Sequence, residues 1–129
     1  MDGLISLLVV TLGGASGAVT RFWLSGAIGR SFGETFPWGT LIVNVSGAAA
    51  IGVAAAALPA GGGTGMPQLL WLAVVTGYLG GYTTVSSFSL QTMNLTRAGE
   101  AMAAASNVAA SVLLSLAAAA AGFAAATAL

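Results

Sequence analysis

The sequence contains no cysteine and no histidine, and its 129 residues include only three basic and three acidic side chains. Without cysteine there is no disulfide framework and no thiolate chemistry, and the redox compartment stays open. Without histidine, and with carboxylates only at Asp2, Glu34 and Glu100, the chain lacks the means for a metal cluster or for acid–base catalysis. It reads as a non-enzyme. The charges balance, which excludes a nucleic-acid partner. Charged residues make up 5% of the chain, against roughly 25% in a soluble domain. Such a surface cannot be solvated all round, so the sequence is that of an integral membrane protein with the lipid bilayer as its partner.

What is present is apolar and small: 57% of the chain is hydrophobic and 19 residues are glycine. Three stretches read as loops from their Gly, Pro and charged residues: "GRSFGETFP" (29–37), "PAGGGTGMP" (59–67) and "TRAGE" (96–100). Between them lie four apolar segments, 3–28, 37–58, 68–95 and 101–128, forming a single four-helix membrane domain over 1–129. Each reaches the roughly 20 residues that span the hydrocarbon. "GGASGA" (13–18) has the small residues of a signal cleavage site, but "MDG" supplies no basic n-region and apolar character resumes beyond Arg21. The first segment is therefore read as a retained helix. Pro37 suits the opening turn of the second helix, and Trp38 and Trp71 suit membrane interfaces. Arg30 and Arg97 fall in loops one and three, which the positive-inside rule favours weakly for the cytoplasm, two arginines leaving insertion either way open.

Polar groups inside these segments need partners, because lipid supplies none. "WGTLIVNVSGAAAIG" sets Thr40, Asn44 and Gly47 along one helical face. In the last segment Asn107, Ser111 and Ser115 recur every fourth residue on an Ala-rich helix. Interhelical hydrogen bonding would account for any one of them. The third segment is harder to explain in that way: "GYLGGYTTVSSFSLQT" (77–92) carries Gly80-Gly81 and then a run of hydroxyls. A helix break near Thr83 to Ser86 would expose carbonyls on one half-helix and N–H groups on the next, the arrangement found at intramembrane ion sites. The competing reading is a kinked, unbroken helix with back-bonded hydroxyls. No carboxylate ring lies at depth, as many cation paths would require. Amides, hydroxyls and the electropositive ring edge of Phe88 point to an anion path.

At these residues the chain resembles the Fluc/CrcB family of small fluoride channels across all four segments. The carriers are "GGASGAVTRFW", "FPWGTLIVNVSG", "GYLGGYTTVSSFS" and the spacing from Ser111 to Gly122. The resemblance implies an all-α integral membrane protein with four transmembrane helices, the third broken, assembled as an antiparallel dual-topology dimer. It implies two fluoride pores per dimer and passive export of cytoplasmic fluoride across the inner (plasma) membrane, giving fluoride resistance. Asn44, Phe88, Ser111, Thr40 and Asn107 would line the pore, and Val85 occupies the first of the family's two ring positions. A structural Na⁺ at the dimer interface would be held by the backbone carbonyls of Gly80 and Thr83. Arg21 matches the family's first-helix arginine; snorkelling to the interface is the alternative role. The sequence departs from the family at Val85, at Asn107 where a Tyr is common, and at Gln91 where an acid is usual. The partner is accordingly a second copy of the chain or a paired homologous subunit.

Two other functions compete with this one. A non-conducting or obligate partner subunit would fit the loss of one ring and one acid. A small multidrug transporter would need a membrane-embedded carboxylate, and the three acids lie in loops or at the terminus. Apparent glycosylation sites at Asn44 and Asn94, in the membrane and at a helix end, are set aside, as is "GGGTG" (61–65), which lacks the Lys of a phosphate loop.

Overall fold

The computed structural model describes residues 2–58 and 64–129, and every described element is helical. Most of the second loop expected at 59–67 lies outside the described residues. α1 runs Asp2–Phe32, four residues past the end expected from sequence. Its stop is Gly33, which takes a left-handed φ of 85° and returns its N–H to the Gly29 carbonyl at 2.9 Å. That conformation is open to glycine and strained for other residues, so Gly33 rather than Gly29 ends the helix. Arg30 then sits in the last turn, where a cation complements the exposed carbonyls.

α2 runs Trp38–Ala57 directly behind Pro37, whose carbonyl accepts the Leu41 N–H at 3.1 Å. α3 covers 66–82 in three parts: Met66–Trp71, a widened π-helical stretch Leu72–Leu79, and Gly80–Tyr82. α4 covers Ser86–Arg97 and α5 Ala101–Thr127, with Gly99 at φ 80° in the turn between them. Four spans are long and apolar enough to cross a membrane: Gly3–Phe32, Trp38–Ala57, Met66–Arg97 and Ala101–Thr127. The third has the lowest hydropathy, 1.2 against 2.0 for the fourth, because of its hydroxyls. This is a multi-pass, all-α membrane protein.

Contacts without side chains hold the helices together. A Cβ on Gly52 would strike the Ala119 carbonyl, and one on Gly122 the Ala49 carbonyl, so α2 and α5 touch backbone to backbone. α1 crosses α3 in the same way, with Gly81 against the Gly14 carbonyl. In lipid, close approach of this kind replaces the hydrophobic effect as the cohesive force. The buried centre is small: Val43, Leu79 and Tyr82, flanked by Leu24 and Tyr78. Most large apolar side chains face outward, Phe22 at 83% exposure and Leu12 at 69% among them. Hydroxyls along the helices, such as Thr11, Thr20 and Thr96, donate to the carbonyl four residues back and so need no water.

Candidate functional site

α3 ends at Tyr82, Thr83 is extended with φ −78° and ψ 159°, and α4 starts at Ser86. The extended residue turns the chain out of helical register, so the usual i→i−4 partners are lost. The Thr84 N–H donates to Asn44 Oδ1 at 2.8 Å, and Asn44 Nδ2 donates to the Thr84 carbonyl at 2.8 Å. The Ser87 N–H donates to Thr84 Oγ1 at 3.2 Å. In an unbroken helix those two N–H groups would have served the carbonyls of Gly80 and Thr83. Neither of those carbonyls accepts a backbone hydrogen bond across the interruption. The Gly81 carbonyl accepts from Arg21 Nε at 3.2 Å, which gives this cation within the first span a partner.

The surrounding packing makes room for this bend. Gly47 on α2 lies against the Thr83 methyl and the Tyr82 ring, and any Cβ there would meet Thr83 Cγ2. Tyr82 is 7% exposed, and its hydroxyl pairs with Ser46 Oγ at 2.8 Å. Tyr78 stacks on Tyr82 with ring planes 7° apart and donates to Thr20 Oγ1 at 3.1 Å. Both phenols are thus satisfied by neighbouring helices.

Beside the interruption lies a groove of about 440 Å³. Asn44, Val85, Phe88 and Ser111 line it, together with Gly80 and Thr83, and none of its lining residues is charged. Thr84 and Ser115 also line it; the fourth-residue spacing of Ser115 from Ser111 was the sequence signal for the latter. Val85 is 76% exposed at its edge. Thr40 and Asn107 lie elsewhere. Thr40 is buried and borders a second cavity of about 630 Å³, with Arg30, Ser87, Gln91 and Asn94. Gln91 Oε1 is buried and accepts no hydrogen bond there. Asn107 is 2% exposed and donates to Thr92 Oγ1 at 2.9 Å, while Thr92 donates to the Phe88 carbonyl at 2.8 Å. That relay ties α5 to α4 behind the groove.

The described residues contain no group of three His, Cys, Asp or Glu side chains, so a cation here would have to rest on oxygen dipoles. The free Gly80 and Thr83 carbonyls suit a hard cation of that kind. The first turn of α4 carries the positive end of its helix dipole, and Phe88 in that turn lines the groove, which suits an anion.

Residues 8–123 match the family model described as "CrcB-like protein, Camphor Resistance (CrcB)". The chain is 57% identical over 120 residues to "Fluoride-specific ion channel FluC 2" of Rhodopseudomonas palustris strain BisB18, covering 93% of this chain and 92% of that protein. It is 51% identical over 116 residues to "Fluoride-specific ion channel FluC 4" of Brucella abortus biovar 1, covering 90% and 87%. With "Fluoride-specific ion channel FluC" of Opitutus terrae it shares 51% over 114 residues, covering 84% and 83%. These relatives carry the names of ion channels and not of enzymes. On a match over most of its length, the chain belongs to the CrcB family.

Proposed function

We propose that the chain forms a fluoride-selective passive channel that exports cytoplasmic fluoride across the inner membrane and so confers fluoride resistance. The observation that carries this reading is the uncharged groove at the interruption of the third span, lined by Asn44, Phe88 and Ser111. A small, strongly hydrated anion must exchange its water for donors that do not trap it. Amide and hydroxyl hydrogens, the α4 N-terminus and the electropositive edge of Phe88 offer such donors, whereas a buried Lys or Arg would bind too firmly. The names of the relatives agree with that substrate.

In this reading the interruption of the third membrane helix serves two ions. Phe88, Asn44 and Ser111 face the anion path and Val85 stands at the first ring position, while Thr40 and Asn107 lie outside the groove. The Gly80 and Thr83 carbonyls would hold Na⁺ at the interface of an antiparallel, dual-topology dimer with two pores, where its charge would offset the carbonyl dipoles. The groove opens on a face where Val85 and Val112 are exposed, so a second subunit is needed to close it.

The exposed Val85 supports a second reading, in which the chain is the obligate partner of a homologous subunit that supplies the missing ring. Numbered names among the relatives, FluC 2 and FluC 4, fit organisms that hold more than one such chain. A multidrug transporter has no support, because no carboxylate lines the groove.

The deciding experiment is fluoride efflux from liposomes containing this purified chain alone, with chloride as control. Fast fluoride release without chloride release fits a homodimeric channel. No release from folded protein, restored by co-expression with a homologous subunit, supports the obligate-partner reading. Equal release of both anions rejects fluoride selectivity.

A further inference from the structure

We propose that Asn44 is a positioning residue for the interruption, standing in for the missing helical turn by clamping the Thr84 peptide group. This inference rests on the channel reading above but assigns Asn44 a role beyond that of a ligand to the anion. The Asn44 amide meets Thr84 on both sides, Oδ1 receiving the N–H and Nδ2 donating to the carbonyl, each at 2.8 Å. An amide side chain carries a donor and an acceptor side by side without a charge, so it mates with a peptide as another peptide would.

Three consequences follow from this pairing. First, the orientation of the amide is set, because an N–H and a C=O on the same residue demand opposite ends of it. Second, the Thr84 N–H is withdrawn from Gly80, whose carbonyl is thereby left without a backbone donor. Third, Asn44 has one Nδ2 hydrogen left, so it can offer the groove a single donor while staying fixed. A free amide would instead rotate to solvate an ion wherever it stood. The pairing also places α2 at the point where α3 gives way to α4, and Gly47, one helical turn along, supplies the space the bend needs.

Without Asn44, the part-buried Thr84 N–H and carbonyl would lose these partners, or the backbone would rewind and recapture the Gly80 carbonyl. Either route moves the groove wall, so loss of function would come through the backbone. A residue acting only as an anion ligand would leave the backbone unmoved.

The test has two arms. In the first, amide hydrogen exchange over residues 80–88 is compared between the full-length protein and Asn44→Ala. Exchange should accelerate by about tenfold or more, as expected when a part-buried pair of hydrogen bonds of this kind is lost. Unchanged exchange overturns the proposal. This arm does not use fluoride, so it stands even if the channel reading fails in the liposome assay. In the second, the Thr84 N–H is removed by placing an α-hydroxy acid at position 84 through nonsense suppression, which keeps every side chain. Fluoride flux should fall about tenfold or more, and adding Asn44→Ala should lower it by less than about twofold beyond Asn44→Ala alone. Full flux in the ester variant, or multiplied losses in the double variant, overturns the proposal. Should Asn44→Ala fail to fold, amide exchange over residues 80–88 of the ester variant replaces the first arm, and unchanged exchange there overturns the proposal.

Discussion

The Asn107 amide nitrogen stands 2.9 Å from the Thr92 hydroxyl, and that hydroxyl passes the interaction on to the Phe88 carbonyl. Asn107 is therefore a strut between α5 and α4, fixing the backbone that carries Phe88. Asn107→Ala is expected to lower stability by about 0.6–2 kcal/mol, the range for an interhelical hydrogen bond in a membrane protein. Thermal unfolding in detergent, followed by loss of the folded species on size exclusion, would measure it. No change in stability would leave the strut without energetic weight.

Phe88 and Val85 both line the groove, and only Phe88 of the two carries a ring. Phe88→Ile is expected to reduce fluoride flux by roughly a hundredfold while the protein still assembles, since ring-edge donors go and apolar volume stays. Val85 is 76% exposed, so Val85→Phe has room and should raise flux by severalfold (about threefold or more). Efflux from liposomes reads both. Undiminished flux in Phe88→Ile removes that ring from the path.

Gly81 lies so close to the Gly14 carbonyl that a methyl cannot be added without parting α1 from α3. Gly81→Ala should cost about 1–3 kcal/mol, the scale of overpacking in a tight interior. Gly29 lies inside α1, and a methyl added there would meet nothing within 4 Å. Gly29→Ala should thus be neutral or stabilising by up to about 1 kcal/mol. The melting temperature of Gly81→Ala should fall, while that of Gly29→Ala should hold or rise.

Arg21 Nε holds the Gly81 carbonyl at 3.2 Å. Arg21→Met keeps most of the side-chain length but removes the donor, and is expected to cost about 1.5–3 kcal/mol, as for hydrogen bonds to charged groups. Arg21→Lys should recover part of it. A snorkelling role would make all three proteins equally stable, so thermal unfolding of the series separates the two.

The four spans were legible because each exceeds the bilayer requirement and is bounded by Gly, Pro and charge. The end of α1 was not. Gly29 and Gly33 both look like stops, and only the backbone shows that Gly33 alone takes positive φ. Helical propensity separates glycine from alanine by about 1 kcal/mol, too little to choose between two glycines four residues apart. The stripe Asn107, Ser111, Ser115 was legible as polar but not as divided. Each fourth residue drifts about 40° around an α-helix, so its two ends point about 80° apart. Ser111 and Ser115 reach the groove, and Asn107 turns to Thr92. The pairing of Asn44 with Thr84 joins residues 40 apart in the chain, and no local pattern encodes it.

Leu72–Leu79 winds with more residues per turn than an α-helix, so this stretch holds slack in the reading of the chain. Losing one residue there can be absorbed by tightening the winding to ordinary pitch, leaving Gly80–Tyr82 in phase with α1 and α2. The same deletion in the regular Ala101–Thr127 would rotate everything beyond it by about 100° and carry Gly122 off its seat on Ala49. Natural length variation along the third span should therefore collect upstream of the two glycines at 80 and 81, while α5, the fourth span, keeps its count.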